Sequence, residues 1–296
     1  MDYFDVCIIG GDRRFSHLTN ILLREGLRVT SFGTARLAPG EDVPDEIPYK
    51  PRRAASLREA TGGVGTVICG IPMERDGFLC CEELPPIPLS ELKKNLRKRQ
   101  KLFGGMISDD FRLHCEERSI ECHDFMTDEP LTLFNAVCTA EGAILEALSH
   151  KDCLLHQSSC LVLGFGRCGS MIAERLKGLC ARVTVTSANK TELALAQSRG
   201  CQAFPLSVLS EHVSKFDYLF NTIPACHLGE NSLPNVRRDS LIIDVASGRT
   251  GVDYPLAKEL SLHALFCPGL PGKYAARSCA ERLAKYVIEN LDETKT

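Results

Sequence analysis

Six residues, Gly164-Phe165-Gly166-Arg167-Cys168-Gly169, carry the spacing Gly-x-Gly-x-x-Gly between an apolar run, Cys160 to Leu163, and an amphipathic stretch that ends in a second apolar run. In a strand, turn, helix, strand context that spacing builds a dinucleotide site. The first glycine permits the tight turn, the second lets the backbone approach a pyrophosphate, and the third lets the helix pack on the strand, with the anion at the positive helix N-terminus. Gly164, Gly166, Arg167, Cys168 and Gly169 are therefore expected to hold a nicotinamide dinucleotide. In an NAD site, a carboxylate about 20 residues beyond the glycines receives the ribose 2′-hydroxyl. Here the second strand ends Ser187-Ala188-Asn189-Lys190, with no carboxylate until Glu192. Hydroxyl, amide and ammonium groups at Ser187, Asn189 and Lys190 suit a 2′-phosphate, so the strand end favours NADP, with NAD as the alternative.

These residues need a parallel sheet to position them. Asp217 to Phe220, Leu241 to Val245 and His263 to Phe266 read as further strands. Their C-terminal loops, Asn221-Thr222-Ile223-Pro224 and Ala246-Ser247-Gly248-Arg249, belong at the ligand side of such a sheet. Thr222 and Ser247, with Ile223 and Pro224 beside them, are expected at the nicotinamide ribose or carboxamide. Cys267 to Tyr274 contains two Pro-Gly pairs, whose turns would bring backbone amides near a ligand.

The first half repeats the pattern more loosely. Val6 to Ile9, the Gly10-Gly11-Asp12-Arg13-Arg14 turn, a helix near Ser16 to Arg24 and a strand from Leu27 to Phe32 make one unit, with Thr66 to Cys69 a further strand. Pro39 to Pro51 and Leu84 to Pro88 read as loops. Glu91 to Lys101, rich in Lys and Arg with Leu92 and Leu96 at helical spacing, reads as a solvated helix face. Leu131 to His150 is long and helix-forming, and would turn Asn135, Thr139 and Glu141 toward a cleft. The expected fold class is α/β, with two Rossmann-like or flavodoxin-like domains whose parallel sheets flank a cleft, as in D-2-hydroxyacid dehydrogenases. The expected boundaries are 1–130 for a substrate-side domain, 131–150 for a connecting helix, 151–274 for the nucleotide domain and 275–296 for a C-terminal helix packing back on the first domain.

Composition narrows the function classes. With 296 residues, 44% hydrophobic and 25% charged, and a formal net charge of −3, the chain offers no bulk attraction to nucleic acid or an anionic membrane. No apolar run reads as a membrane span, and Met1-Asp2-Tyr3-Phe4-Asp5 does not open a signal peptide, which points to a cytoplasmic protein. The 15 cysteines scatter without Cys-x-x-Cys pairs, so no metal site is expected and the thiols read as small buried hydrophobes. A D-2-hydroxyacid dehydrogenase would share the plan, and Arg249 stands where its arginine would, but no histidine follows the strand ending at Phe266 to act as base.

The chain resembles the A subunits of dipicolinate synthase from spore-forming bacteria. The resemblance runs through Gly10-Gly11-Asp12-x-Arg14, Leu131 to Ala136 with Thr139-Ala140-Glu141-Gly142-Ala143, and Leu163 to Arg167. It continues through Phe220 to Ala225, Ile243 to Ser247, Gly251-Val252-Asp253 and Pro268-Gly269-Leu270-Pro271-Gly272-Lys273. It implies formation of dipicolinic acid from the dihydrodipicolinate branch of lysine synthesis during sporulation. It also implies assembly as a homodimer or hetero-oligomer, with a smaller flavoprotein-like B subunit. Asn189 departs from the Arg expected in similar proteins, which weakens a 2′-phosphate contact. A small dicarboxylate substrate needs cationic anchors, for which Arg14, Arg249 and Lys273 are the candidates. Asn135, Thr139 and Glu141 are the candidates for positioning or proton transfer. Two alternatives stand beside this reading: a nucleotide-binding scaffold whose partner does the chemistry, and an ordinary hydroxyacid or amino-acid dehydrogenase.

Overall fold

A computed structural model describes residues 4–35 and 50–292. The chain divides into two units, the first formed by 1–132 and 275–296 and the second by 133–274. In the first unit, strands β1 (Val6–Ile9), β2 (Val29–Phe32), β3 (Arg52–Arg53) and β4 (Thr66–Cys69) are joined through helices α1 (Arg13–Arg24) and α2 (Leu57–Thr61). Three short strands, β5 (Glu74–Arg75), β6 (Phe78–Leu79) and β7 (Ile87–Pro88), form a separate antiparallel sheet. Helix α3 (Leu89–Asn95), strand β8 (Lys101–Gly104), helix α4 (Asp109–Glu117) and strand β9 (Glu121–Asp124) follow. Helix α5 (Glu129–His150) leads into the second unit.

There the order is β10 (Ser159–Leu163), α6 (Arg167–Gly178), β11 (Arg182–Ser187), α7 (Lys190–Ser198), β12 (Gln202–Pro205) and a single helical turn, α8 (Leu209–His212). Strand β13 (Tyr218–Asn221), strand β14 (Leu241–Asp244), α9 (Tyr254–Glu259), β15 (His263–Phe266) and α10 (Leu270–Tyr274) complete it. Helix α11 (Ala276–Asp292) returns to the first unit.

Both large sheets are parallel and share one topology. Their orders are β3-β2-β1-β4-β8-β9 and β12-β11-β10-β13-β14-β15. Each is the doubly wound arrangement that reverses direction beside its first strand and leaves a crevice at the strands' C-terminal ends. β1, β4, β13 and β14 are buried at every position, as parallel strands covered on both faces must be. In the first unit α11 supplies Ala280, Leu283, Ala284 and Val287 to a core with Phe15, Leu18 and Leu22 of α1. In the second, Ala140, Ala143 and Ala147 of α5 pack in the core with Cys160 and Val162 of β10.

Several elements differ from the sequence reading. α3 ends at Asn95, and Lys101 is no helix-face residue but the first residue of β8, buried, with Nζ donating to the Asn290 carbonyl. A lysine stem can line a core while its ammonium finds a carbonyl, so charge alone misplaces it. The Pro271-Gly272 pair lies inside α10 rather than in an open turn. α5 is long and apolar enough to cross a membrane, with a mean hydropathy of 1.3, where the sequence reading finds no such run. Its alanine face is spent on the second unit's core. Of the Pro39 to Pro51 loop, residues 39–49 lie outside the described residues.

Candidate functional site

The glycine turn follows β10, at the crevice edge of the second sheet. Gly164 has φ +87°, and a Cβ there would sit 2.6 Å from Thr222 Oγ1. A Cβ on Gly169 would collide with the Gly164 carbonyl. Both glycines are thus required by the chain's own packing. Gly166 is different: its φ is −71°, any residue could adopt it, and a Cβ there would meet nothing within 4 Å. Gly166 is also the N-cap of α6, and no side chain caps that helix. A 12-residue helix therefore presents its first turn to an open space that a side chain at Gly166 would fill, which fits a pyrophosphate. Arg167 is exposed at the start of α6, and Cys168 is half-buried. Burial pushes the Cys168 thiol up against the opposing charge of Arg167, and Cys168 is hydrogen-bonded to Thr139 of α5.

Around the turn, Thr222 Oγ1 donates to the Leu163 carbonyl at 2.7 Å, holding the loop after β13 against β10, with Ile223 beside Gly164 and Pro224 exposed. Behind it lies a network that sequence reasoning passes over. Asp244, fully buried, accepts from Asn221 Nδ2 at 2.9 Å, from the Ala246 N–H at 3.1 Å and from Tyr254 Oη at 2.7 Å. Burial and the bond to Asp244 push the Tyr254 hydroxyl well above its ordinary range, so it stays a donor. The signal for it is an Asn and an Asp closing two apolar strands. The Tyr254 ring in turn carries the Arg249 guanidinium, 4.7 Å from its centroid and 6.0 Å from that of Phe266. Ser247 is exposed with no hydrogen-bond partner among the described residues.

At the end of β11, Ser187 is buried and its Oγ donates to Glu192 Oε2 at 2.6 Å while accepting from the Asn189 N–H at 3.0 Å. Asn189 caps α7, its Oδ1 accepting from the Thr191 N–H at 2.8 Å. Glu192 Oε2 also accepts from the Phe165 N–H, inside the glycine turn, at 3.0 Å. Counting along the chain puts Glu192 past the strand, but one helical turn brings it back. The pattern Asn189-Lys190-Thr191-Glu192 has capping-box spacing, which is the signal that could have found it. Lys190 is exposed, with no partner among the described residues.

The remaining candidates lie on other elements of the two units. On α5, Thr139 Oγ1 donates to the Asn135 carbonyl at 2.8 Å, so these two share a face, whereas Glu141 is exposed and 3.6 Å from Arg175 of α6. Two residues farther along a helix is about 200° around it, which separates Glu141 from Thr139. Lys273 Nζ lies 2.5 Å from Glu146 Oε1, which also accepts from Tyr274 Oη at 2.8 Å. These bonds hold the Lys273 ammonium above its ordinary range. Burial acts to raise the Glu146 carboxyl, but the bonds from Lys273 and Tyr274 prevail and hold it below the usual carboxylate range. In the first unit, Arg14 is buried, clasped by both oxygens of Asp12 and donating to the Ile71 carbonyl at 2.7 Å.

Residues 5–126 match the family described as the N-terminal domain of the dipicolinate synthase A subunit. Over 294 residues the chain is 34% identical to the A subunit of dipicolinate synthase from Bacillus subtilis, covering 97% of this chain and 96% of that one. Its fold superposes on the crystal structure of the dipicolinate synthase A subunit from Bacillus halodurans with a TM-score of 0.82 at 23% identity, covering 98% and 99% of the two chains. It superposes on a transhydrogenase from Sinorhizobium meliloti with a TM-score of 0.65 at 13% identity, covering 98% and 94%.

Proposed function

The chain belongs to the family of dipicolinate synthase A subunits, and from that premise we propose that it is a cytosolic oxidoreductase that makes dipicolinate with a nicotinamide dinucleotide and a partner B subunit. The observation that carries the nucleotide part is Gly166, a glycine that nothing among the described residues requires, at the start of α6, which no side chain among them caps. Gly164, Arg167, Cys168 and Gly169 complete the turn that would hold the pyrophosphate, and Thr222, Ile223, Pro224 and Ser247, on the loops after β13 and β14, would serve the nicotinamide end. Of the two nucleotides, NADP is supported by the Asn189 and Lys190 strand end and NAD by the Glu192 carboxylate.

When bound, the nicotinamide supplies a hydride acceptor: a dihydropyridine dicarboxylate gives up one hydride and one proton and becomes the aromatic pyridine dicarboxylate. Aromatisation favours that step, so the chain's own task is chiefly to orient a doubly anionic ring. Arg249 is the strongest anchor candidate, because its guanidinium rests on two rings and pairs with no carboxylate among the described residues. Arg14 and Lys273 already serve Asp12 and Glu146, so they would bind substrate only by sharing or exchanging those partners. Thr139 links α5 to the first turn of α6 and suits positioning better than proton transfer, since its hydroxyl hydrogen is given to the Asn135 carbonyl. Asn135 and Glu141 complete the α5 candidates.

The test supplies freshly generated dihydrodipicolinate-pathway substrate with NAD or NADP, in the presence or absence of the B subunit. It follows the pyridine dicarboxylate and reduced nicotinamide absorbances together. Equal growth of both bands is expected. Dipicolinate formed without cofactor reduction would move the redox chemistry off this chain.

A further inference from the structure

Resting on the reading that a nicotinamide dinucleotide lies over the Gly164 turn, we propose that Glu192 is its specificity-determining residue and selects NAD over NADP. Three groups at the end of β11 have the character of 2′-phosphate partners, and the structure has already engaged the hydroxyl among them. The Ser187 hydroxyl hydrogen goes to Glu192 Oε2, and its lone pair takes the Asn189 N–H. The Asn189 side-chain oxygen caps α7, leaving Nδ2 as a neutral donor that brings no positive charge. Lys190 remains, exposed and without a partner to fix it among the described residues.

Against that single cation stands a carboxylate held at two points. Glu192 Oε2 is bonded to the last residue of β11 and to the Phe165 N–H inside the glycine turn. Its other oxygen, Oε1, has no partner among the described residues. In a doubly wound fold, the adenosine ribose of a dinucleotide lies between the glycine turn and the end of the second strand. A carboxylate fixed there can accept from a ribose hydroxyl, whereas a 2′-phosphate would meet like charge that the backbone and Ser187 prevent from swinging away. The first turn of α7 also favours a negative side chain, so Glu192 is stabilised where it stands.

Titration of the purified full chain with NADH and with NADPH, followed by nicotinamide fluorescence, tests this without turnover. The unaltered chain should bind NADH about tenfold or more tightly than NADPH. Glu192→Gln and Glu192→Ala should each shrink that ratio by about tenfold, chiefly by tightening NADPH. Equal affinities or an NADPH preference in the unaltered chain would overturn the proposal, and so would an unchanged ratio in folded variants. If neither variant folds, the ratio of the unaltered chain decides alone. Failure to bind either nucleotide would instead overturn the dinucleotide reading on which the proposal rests.

Discussion

The turn after β1 and the turn after β10 occupy the same place in two sheets of the same topology, yet one is closed and the other open. After β1, a Cβ on Gly10 would lie 2.8 Å from Cys81 Sγ, and one on Gly11 would lie 2.6 Å from Phe15 Cγ. The Gly11 N–H is taken by the Cys80 carbonyl at 2.9 Å. Asp12 caps α1 and clasps Arg14. The space where an anion would sit is filled by the chain's own hairpin, ring and carboxylate. After β10 no side chain caps the helix and a Cβ on the middle glycine would meet nothing within 4 Å among the described residues. A glycine-rich turn therefore signals a ligand only where the glycine is not already explained by a neighbour.

The sharpest way to break this comparison is to close the open turn. Gly166→Asp would give α6 the cap that α1 has and set a carboxylate where the pyrophosphate would go. NADH affinity should fall about 100-fold or more, while the unfolding free energy should hold or rise by about a few tenths of a kcal/mol. Calorimetric binding and chemical denaturation read the two separately, and retained affinity would sink the assignment of the turn. The converse is Gly11→Ala, where φ is +79° and the Phe15 ring stands in the way. It should cost about 2–3 kcal/mol of stability, with NADH affinity unchanged in the folded protein. A loss of nucleotide binding without destabilisation would make the first turn a ligand site after all.

Two smaller effects sharpen the contrast around the second sheet. Arg249→Ala should raise the KM for the dicarboxylate about tenfold and leave the nucleotide Kd in place, since an anchor acts on substrate alone. An unchanged KM would remove Arg249 from the anchors. Glu146→Gln should cost about 1 kcal/mol at neutral pH and flatten the acid side of the stability profile. Glu146 is held below its ordinary range, so its contribution is present above the unfolded carboxylate value and is lost as pH falls through the folded one. Lys273 is held above its range, so its share is present below the unfolded ammonium value and is lost as pH rises through the folded one. Denaturation midpoints between mildly acidic and alkaline pH would show whether both limbs depend on this pair.

Much of this is legible in residue order. The strands Val6–Ile9, Thr66–Cys69 and His263–Phe266 follow from apolar runs bounded by turns, and the long helix before β10 follows from its composition. What escapes is whatever depends on a neighbour in space. β8 begins at Lys101, whose charge makes it look like a helix surface until the Asn290 carbonyl takes its ammonium. Glu192 lies beyond a count made along the chain, although a helical turn returns it to the strand end. Candidate anchors chosen by charge do not reveal that Arg14 and Lys273 are already paired with acids on the same unit.

The return of α11 to the first unit sets an order of manufacture. That unit's core needs Ala280, Leu283, Ala284 and Val287 packed with Phe15, Leu18 and Leu22, and between those stretches the ribosome must make all of 133–274. The second unit can therefore close on itself while the earlier-made unit still lacks a wall of its core. The unit begun first is finished last, and a released chain ending at residue 274 would hold every residue of the second unit but leave an apolar surface of α1 uncovered.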